Sequence, residues 1–315
     1  AFAKAVINEL SEKVWLSTLS WVKRRLTMSK NADAQMMGLS KVPVIAWPSI
    51  LLFIGCISAF AIVTFFAVSG DLNWWLAGLL NGVFLYFLFS PMHDALHGSV
   101  SSNKILNEAI GRISLAVFIP AAPMEIARWI HLKHHAHTTA DTDPDNFMHH
   151  GHWFILPFRW ANFDFYYLKA FFESTDKHVL RHKRTVWVYL AAFIAVITVS
   201  IASGYFAEFF LLWFLPTRLA LGLTGYVFVF LPHYPAQISA KTDKFKATTM
   251  RLGHEWLLTP VMVFQNYHLI HHLYPNIPFN RYMKVWSINE EEIMAKNPAI
   301  QSGFGLSPHW QGKDI

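Results

Sequence analysis

The chain has 315 residues, of which 54% are hydrophobic, 16% aromatic and only 15% charged, and its mean hydropathy is +0.30. This is too apolar for an ordinary soluble domain and fits a polytopic membrane protein. A formal charge of +6 raises the question of nucleic-acid binding, but the placement of Lys and Arg along the chain excludes it, and a single cysteine, Cys56, excludes an internal disulfide or a cysteine-built metal site.

Residues 1–27 look amphipathic, with Ile7, Leu10, Val14, Trp21 and Val22 near one face and Lys23-Arg24-Arg25 close behind. No continuous apolar core follows a basic start, so a signal peptide is excluded and a helix lying in the membrane interface is expected. Met28 offers an alternative native start, which would make 1–27 an appended leader. Four segments then carry the length of apolar sequence that a spanning helix needs: 43–69, 72–92, 186–205 and 208–231. The short connections Ser69-Gly70-Asp71 and Gly204-Tyr205-Phe206-Ala207 join them as two helical hairpins. Of the 26 basic residues, Arg218 alone falls within a span. All others lie in the N-terminal arm, in 93–185 or after 231, so the positive-inside rule sets both termini and the central segment in the cytoplasm, as in a multi-pass protein of the inner (cell) membrane.

Each hairpin returns to the cytoplasmic side at a histidine: His93 and His97 after Pro91, and His233 after Pro232. An HxxHH cluster follows each return, His131-Leu-Lys-His134-His135 and His268-Leu-Ile-His271-His272. The apolar stretches 113–126 and 256–265 are short and contain Pro120, Pro123 and Pro260, so they are expected along the membrane surface. The expected fold is therefore an all-α integral membrane protein: four transmembrane helices in two hairpins, with a cytoplasmic helical cap carrying the histidines. Residues 1–42 form an arm, 43–286 the membrane domain and 287–315 a tail. Asp141-Thr-Asp143-Pro-Asp145 reads as a turn with capping carboxylates.

On a helix, positions i, i+3 and i+4 share a face. His131, His134 and His135 can thus surround one site, as can His268, His271 and His272, while His93 and His97 form an i, i+4 pair. Eight or nine imidazoles exceed what one ion holds, so two ions are expected. HExxH and Glu-x-x-His are absent, which disfavours zinc-protease and carboxylate-bundle chemistry. Imidazole suits Fe, Zn and Cu alike; a water-poor pocket beside a bilayer favours iron and oxygen activation.

The stretches His93-Asp-Ala-Leu-His97, His131-Leu-Lys-His-His-Ala-His137, Asp143-Pro-Asp-Asn-Phe147, Phe230-Leu-Pro-His-Tyr-Pro235 and Gln265-Asn-Tyr-His-Leu-Ile-His-His-Leu-Tyr-Pro-Asn-Ile-Pro278 resemble the membrane fatty acid desaturase and hydroxylase superfamily of histidine-rich di-iron enzymes. More narrowly they resemble its bacterial carotenoid ring hydroxylases. The resemblance covers about residues 85–283. It implies two Fe ions held by His93, His97, His131, His134, His135, His268, His271 and His272, with His233 as a ninth ligand, and O2 as co-substrate. Gly98 after the first box matches ring ketolases instead, and Phe279-Asn280 stands where ring hydroxylases carry an aromatic pair.

Asp94, between two ligands, is read as orienting an imidazole or capping a helix, and His137 as a supporting or surface residue rather than a ligand. His149-His150-Gly151-His152 is expected to be a solvated loop. His178, His182, His254 and His309 lack partners at ligand spacing. Trp129, Trp153, Trp160 and Tyr166 are candidates for the substrate mouth or for an aromatic membrane belt. The expected reaction is hydroxylation of a lipid C–H bond, best matched by a carotenoid ring, with a fatty acyl desaturase or hydroxylase as alternative. No GxGxxG fingerprint or cysteine cluster is present, so electrons are expected from a ferredoxin-like carrier docking on the basic cap. A histidine-rich metal transporter is the alternative of another class. Transporters place ionisable residues near the bilayer midplane, whereas these histidines cluster at one end of the spans.

Overall fold

The computed structural model describes residues 33–310 and 313–314; the interfacial helix expected over 1–27 lies outside them. The described chain is mostly helical. Four helices are long and apolar enough to cross a membrane: α1 (Trp47–Val68), α2 (Trp74–Leu96), α8 (Lys183–Ala202) and α9 (Phe206–His233). Between α2 and α8 run α3 (Lys104–Phe118), α4 (Met124–His137), α5 (Leu156–Ala161), α6 (Phe163–Phe172) and α7 (Lys177–Leu180). After α9 come α10 (Glu255–Val261), α11 (His268–Leu273) and α12 (Tyr282–Met294).

Local chemistry explains the boundaries. Asn73 starts α2, its side-chain oxygen accepting from the amides of Trp75 and Leu76 at 3.0 and 3.2 Å, and Asn103 does the same for α3. Helix α9 contains two π-helical stretches, Phe210–Phe214 and Gly225–Phe230. Pro216 and Pro232 follow them closely, and a wider turn accommodates the missing amide and the ring that would otherwise clash with the preceding turn.

The spans divide by what they face. α1 and α8 have the higher mean hydropathy, 2.6 and 2.2, and only 17% and 11% of their apolar windows are buried. α2 and α9, at 1.5 and 1.6, are 50% and 56% buried and form the core. They approach closely because of small residues: a Cβ at Gly78 would lie 2.7 Å from the Leu211 carbonyl oxygen, and one at Gly82 would lie 2.6 Å from Leu219. Asn81 at the same crossing donates to Thr64 of α1 (3.0 Å) and to the Leu212 carbonyl of α9 (2.9 Å).

Two features depart from expectation. The stretch 113–126 is divided between the end of α3, a turn and the start of α4, since α3 extends to Phe118 and Pro123 precedes α4. A four-stranded sheet of short strands also interrupts the all-α plan: β1 (Thr249–Leu252), β2 (Ala299–Ser302), β3 (His309–Trp310) and β4 (Lys313–Asp314), in that order. β1 and β2 are parallel, with Thr249 opposite Ala299, and the remaining pairs are antiparallel. Buried Arg251 holds the sheet to the segment after it, donating to the carbonyls of Ser302 (3.2 Å), Gly303 (3.2 Å) and Gly305 (2.6 Å) and to the Gln301 side chain.

Candidate metal centre

The histidines converge from four helices. His93 lies in the last turn of α2, which His97 caps; His131, His134 and His135 lie on α4, His233 at the end of α9, and His268, His271 and His272 on α11. They form two groups. One is His93, His97, His131, His135 and His271; the other is His134, His233, His268 and His272; within each, one ring nitrogen per residue lies within 4.8 Å of all the others. Successive helical residues are about 100° apart, so i+4 falls roughly 40° to one side of i and i+3 roughly 60° to the other. Hence His131 and His135 join one group while His134 turns to the other, and His268 and His272 join one while His271 crosses over.

The donor set fits a metal ion. His97 Nε2 lies 2.7 Å from His131 Nε2, which lies 3.1 Å from His135 Nε2, which in turn lies 2.9 Å from His271 Nε2. In the second group, His268 and His272 bring their Nε2 atoms to 3.2 Å. A neutral ring nitrogen carries one proton or one lone pair, so the first chain of contacts would force a lone pair to accept twice and a proton to be shared. Imidazole nitrogens about 2 Å from a common cation stand about 3 Å apart without conflict. His233 Nε2 is buried with no hydrogen-bond partner among the described residues, as expected of a nitrogen left for a metal.

On five of the nine rings, those of His134, His233, His268, His271 and His272, the opposite nitrogen faces a polar partner that orients the ring. His134 Nδ1 faces both oxygens of Asp143, at 3.0 and 3.1 Å, and Asp145 at 3.3 Å. His233 Nδ1 donates to the Ala247 carbonyl at 3.0 Å, in the segment that leads into β1. His268 pairs with the Gln265 side-chain oxygen, and His271 with the Tyr282 hydroxyl at 2.9 Å. His272 lies 3.4 Å from the Thr138 hydroxyl. Buried His93 differs, since its Nδ1 has no partner among the described residues.

Electrostatics separate His134 from the rest. Burial, aided by neighbouring imidazoles, holds His131, His135, His268, His271 and His272 well below the usual imidazole range. Burial also takes His97 to about 3, with Arg128 and His134 adding to the effect. Burial opposes charge on His134 as well, yet Asp143 and Asp145 outweigh it and raise its value to about 9.

Two supporting residues sit away from the rings. Asp94 accepts from the Ser49 hydroxyl at 2.6 Å and from the Phe279 amide at 3.2 Å. It therefore ties α2 to α1 and to the segment before α12 instead of orienting an imidazole. Exposed His137 bonds Thr142 at 2.8 Å. The orienting carboxylates are Asp143 and Asp145, which the sequence presents as a turn; their Asp-Pro-Asp spacing directly after an HxxHH helix is the available signal. Gln265 and Tyr282 carry no such signal. The solvated-loop expectation holds for exposed His150 and His152 and fails for His149, which is only 7% exposed.

An apolar cavity of about 70 Å³ abuts both groups, with His93, His131, His134 and His268 in its wall and residues such as Phe89, Leu115, Ile119, Ile126 and Phe228 around it.

The fatty acid desaturase family model matches residues 72–304. A beta-carotene ketolase of Paracoccus sp. (strain PC1) is 30% identical over 199 residues, 62% of this chain and 71% of that protein. The omega-3 fatty acid desaturase fat-1 of Caenorhabditis elegans is 38% identical over 97 residues, 30% of this chain and 21% of that protein. Dihydrorhizobitoxine desaturase of Bradyrhizobium elkanii is 26% identical over 242 residues, 66% of each. With the nine histidines inside the matched region and four membrane-length helices around them, the chain belongs to the fatty acid desaturase family and is a membrane oxidoreductase that acts on lipid.

Proposed function

We propose that the chain binds two iron ions, one in each histidine group, and oxygenates an unactivated C–H bond of a carotenoid-type ring. The observation that carries this reading is the apolar cavity, whose wall includes histidines of both groups. The similarity to the Paracoccus ketolases, which spans most of their length, favours a carotenoid. Bound iron supplies the reduction of dioxygen: substrate C–H, O2, two electrons and two protons give an alcohol and water.

The chain's own residues position and protect. Phe89, Leu115, Ile119 and Phe228 exclude water and offer an isoprenoid surface no hydrogen bonds to satisfy. The fixed wall sets which carbon faces the histidines, and small displacements there change the outcome. Asp143 and Asp145 hold a proton on His134 Nδ1 and so direct its other nitrogen toward the metal. Electrons come from a ferredoxin-like donor on the basic face. The two hairpins, the cap over them and the cytoplasmic side for the site and both termini in the inner membrane belong to this reading; they are supported by the confinement of Lys and Arg, apart from Arg218 and the Lys183-Arg184 pair that opens α8, to segments outside the spans. Residues 43–286 are the proposed oxygenase unit.

Fatty acyl desaturation is the second reading, favoured by the matches to fat-1 and to dihydrorhizobitoxine desaturase. Expression in a carotene-producing bacterium and in a plain one, with mass spectrometry of both lipid extracts, separates them. New oxygenated carotenoids are expected. Altered acyl chains with untouched carotene would establish the second reading in place of the first.

A further inference from the structure

The two histidine groups are unequal. Five imidazoles surround one position and four the other, so the second site has one protein donor fewer. Next to that site stands His149, buried at 7% exposure. Neither of its ring nitrogens has a hydrogen-bond partner among the described residues. A fully buried imidazole with both nitrogens idle is uncommon and points to a small polar molecule or ion beside it.

His149 occupies an outer position. Its ring centroid is 5.8 Å from that of His233, with the rings nearly perpendicular at 85°. The rings of His134, His268 and His272 lie 4.8, 5.0 and 4.9 Å from His233. His149 is therefore almost 1 Å farther out and stands outside the set whose nitrogens lie within 4.8 Å of one another. A ring whose nitrogens fall outside that set stands beyond direct ligation and suits one interposed atom, since a ligand bound about 2 Å from a metal reaches a hydrogen-bonding partner about 2.8 Å beyond it.

The placement is built into the fold. Arg159 donates to the carbonyls of Phe147 (2.8 Å) and His150 (2.5 Å), and Trp160 donates to that of Met148 (3.1 Å), so the backbone is held on both sides of His149. Phe230 of the second π-helical stretch stacks on its ring at 6.2 Å and 17°. Gly151, at φ +115°, turns the chain out to exposed His152; a larger residue would be strained there.

The geometry points to His149 as a positioning residue that hydrogen-bonds a small exogenous ligand, water or a small anion, on the metal ion of the four-histidine group. This rests on the di-iron reading, and the test separates the two. The full-length chain is loaded with iron in detergent and titrated with azide, following the azide-to-iron charge-transfer band, with iron per chain measured in parallel. Wild type should hold two irons and bind azide. His149→Phe should keep both irons and weaken azide binding about tenfold or more, the loss of a hydrogen bond to a charged group. His149→Gln, which retains a donor, should recover most of that affinity and shift the infrared stretch of bound azide only slightly.

Azide affinity unchanged in His149→Phe would overturn the assignment, as would loss of one iron per chain, which would make His149 a direct ligand. If His149→Phe does not fold, His149→Gln decides alone: a small but measurable change in the azide stretch supports the contact, and an identical band refutes it. Wild type holding no iron would instead sink the di-iron reading itself.

Discussion

Asp143 and His134 are nine positions apart, and their contact decides how that imidazole is turned. Removing the charge with Asp143→Asn should lower metal affinity by roughly 10–100-fold, read as iron retained after dialysis against a chelator. The surrounding imidazoles set the acid limit. His131, His135, His268, His271 and His272 are held in the folded state well below the ordinary value of 6.5. The unfolded chain thus binds protons first as pH falls, so the stability these groups contribute is present above about 6.5 and is lost on acidification. Metal binding demands the same neutral form. Iron retention and melting temperature should therefore both drop between pH 7.5 and pH 5. Constant values across that range would contradict the neutral, metal-directed assignment. At this scale the histidines and their spacing were legible in the sequence. The division into groups of five and four was not, because it depends on which side of α4 and α11 each partner helix packs.

Apart from Lys183 and Arg184 in the first turn of α8, Arg218 is the one Lys or Arg within a span, and the fold explains it through another element. Its guanidinium makes a two-pronged contact with Asp164 of α6, at 2.7 and 2.9 Å, with the side chains only 15% and 9% exposed. A charge left alone in such a place is costly, so Arg218→Met should destabilise by about 3–5 kcal/mol, while Arg218→Met combined with Asp164→Leu should recover most of the loss. Thermal unfolding in detergent checks both. A little further along α9, a Cβ at Gly225 would lie 2.7 and 2.9 Å from the Cβ and Cα of Trp160, and the nearer backbone of α5 cannot swing aside. Gly225→Ala should cost about 1–3 kcal/mol by the same measurement. The spans and their Asn caps follow from apolar runs and local residue chemistry. The sheet around Arg251 does not, since β1 and β2 come from segments about fifty residues apart.

For the whole molecule, the decisive feature is that α2, α3, α4, α6 and α9 close an apolar cavity against both histidine groups. Ala127 lies in its wall, so Ala127→Trp should fill part of it and lower product at least about tenfold, with iron per chain unchanged, because displaced substrate loses its alignment rather than its metal. Product formation at the wild-type level would exclude this cavity as the substrate site. By itself the sequence determined that the chain crosses a membrane, that imidazoles gather where the spans end, and to which superfamily those clusters are similar. Hydropathy and helical spacing are local properties, carried by residues within a few turns of one another. Only the tertiary structure decided which histidines share a site, that His149 is buried, and where the cavity lies. Each of those depends on surfaces brought together from segments tens to hundreds of residues apart, and no local pattern encodes the distance between them.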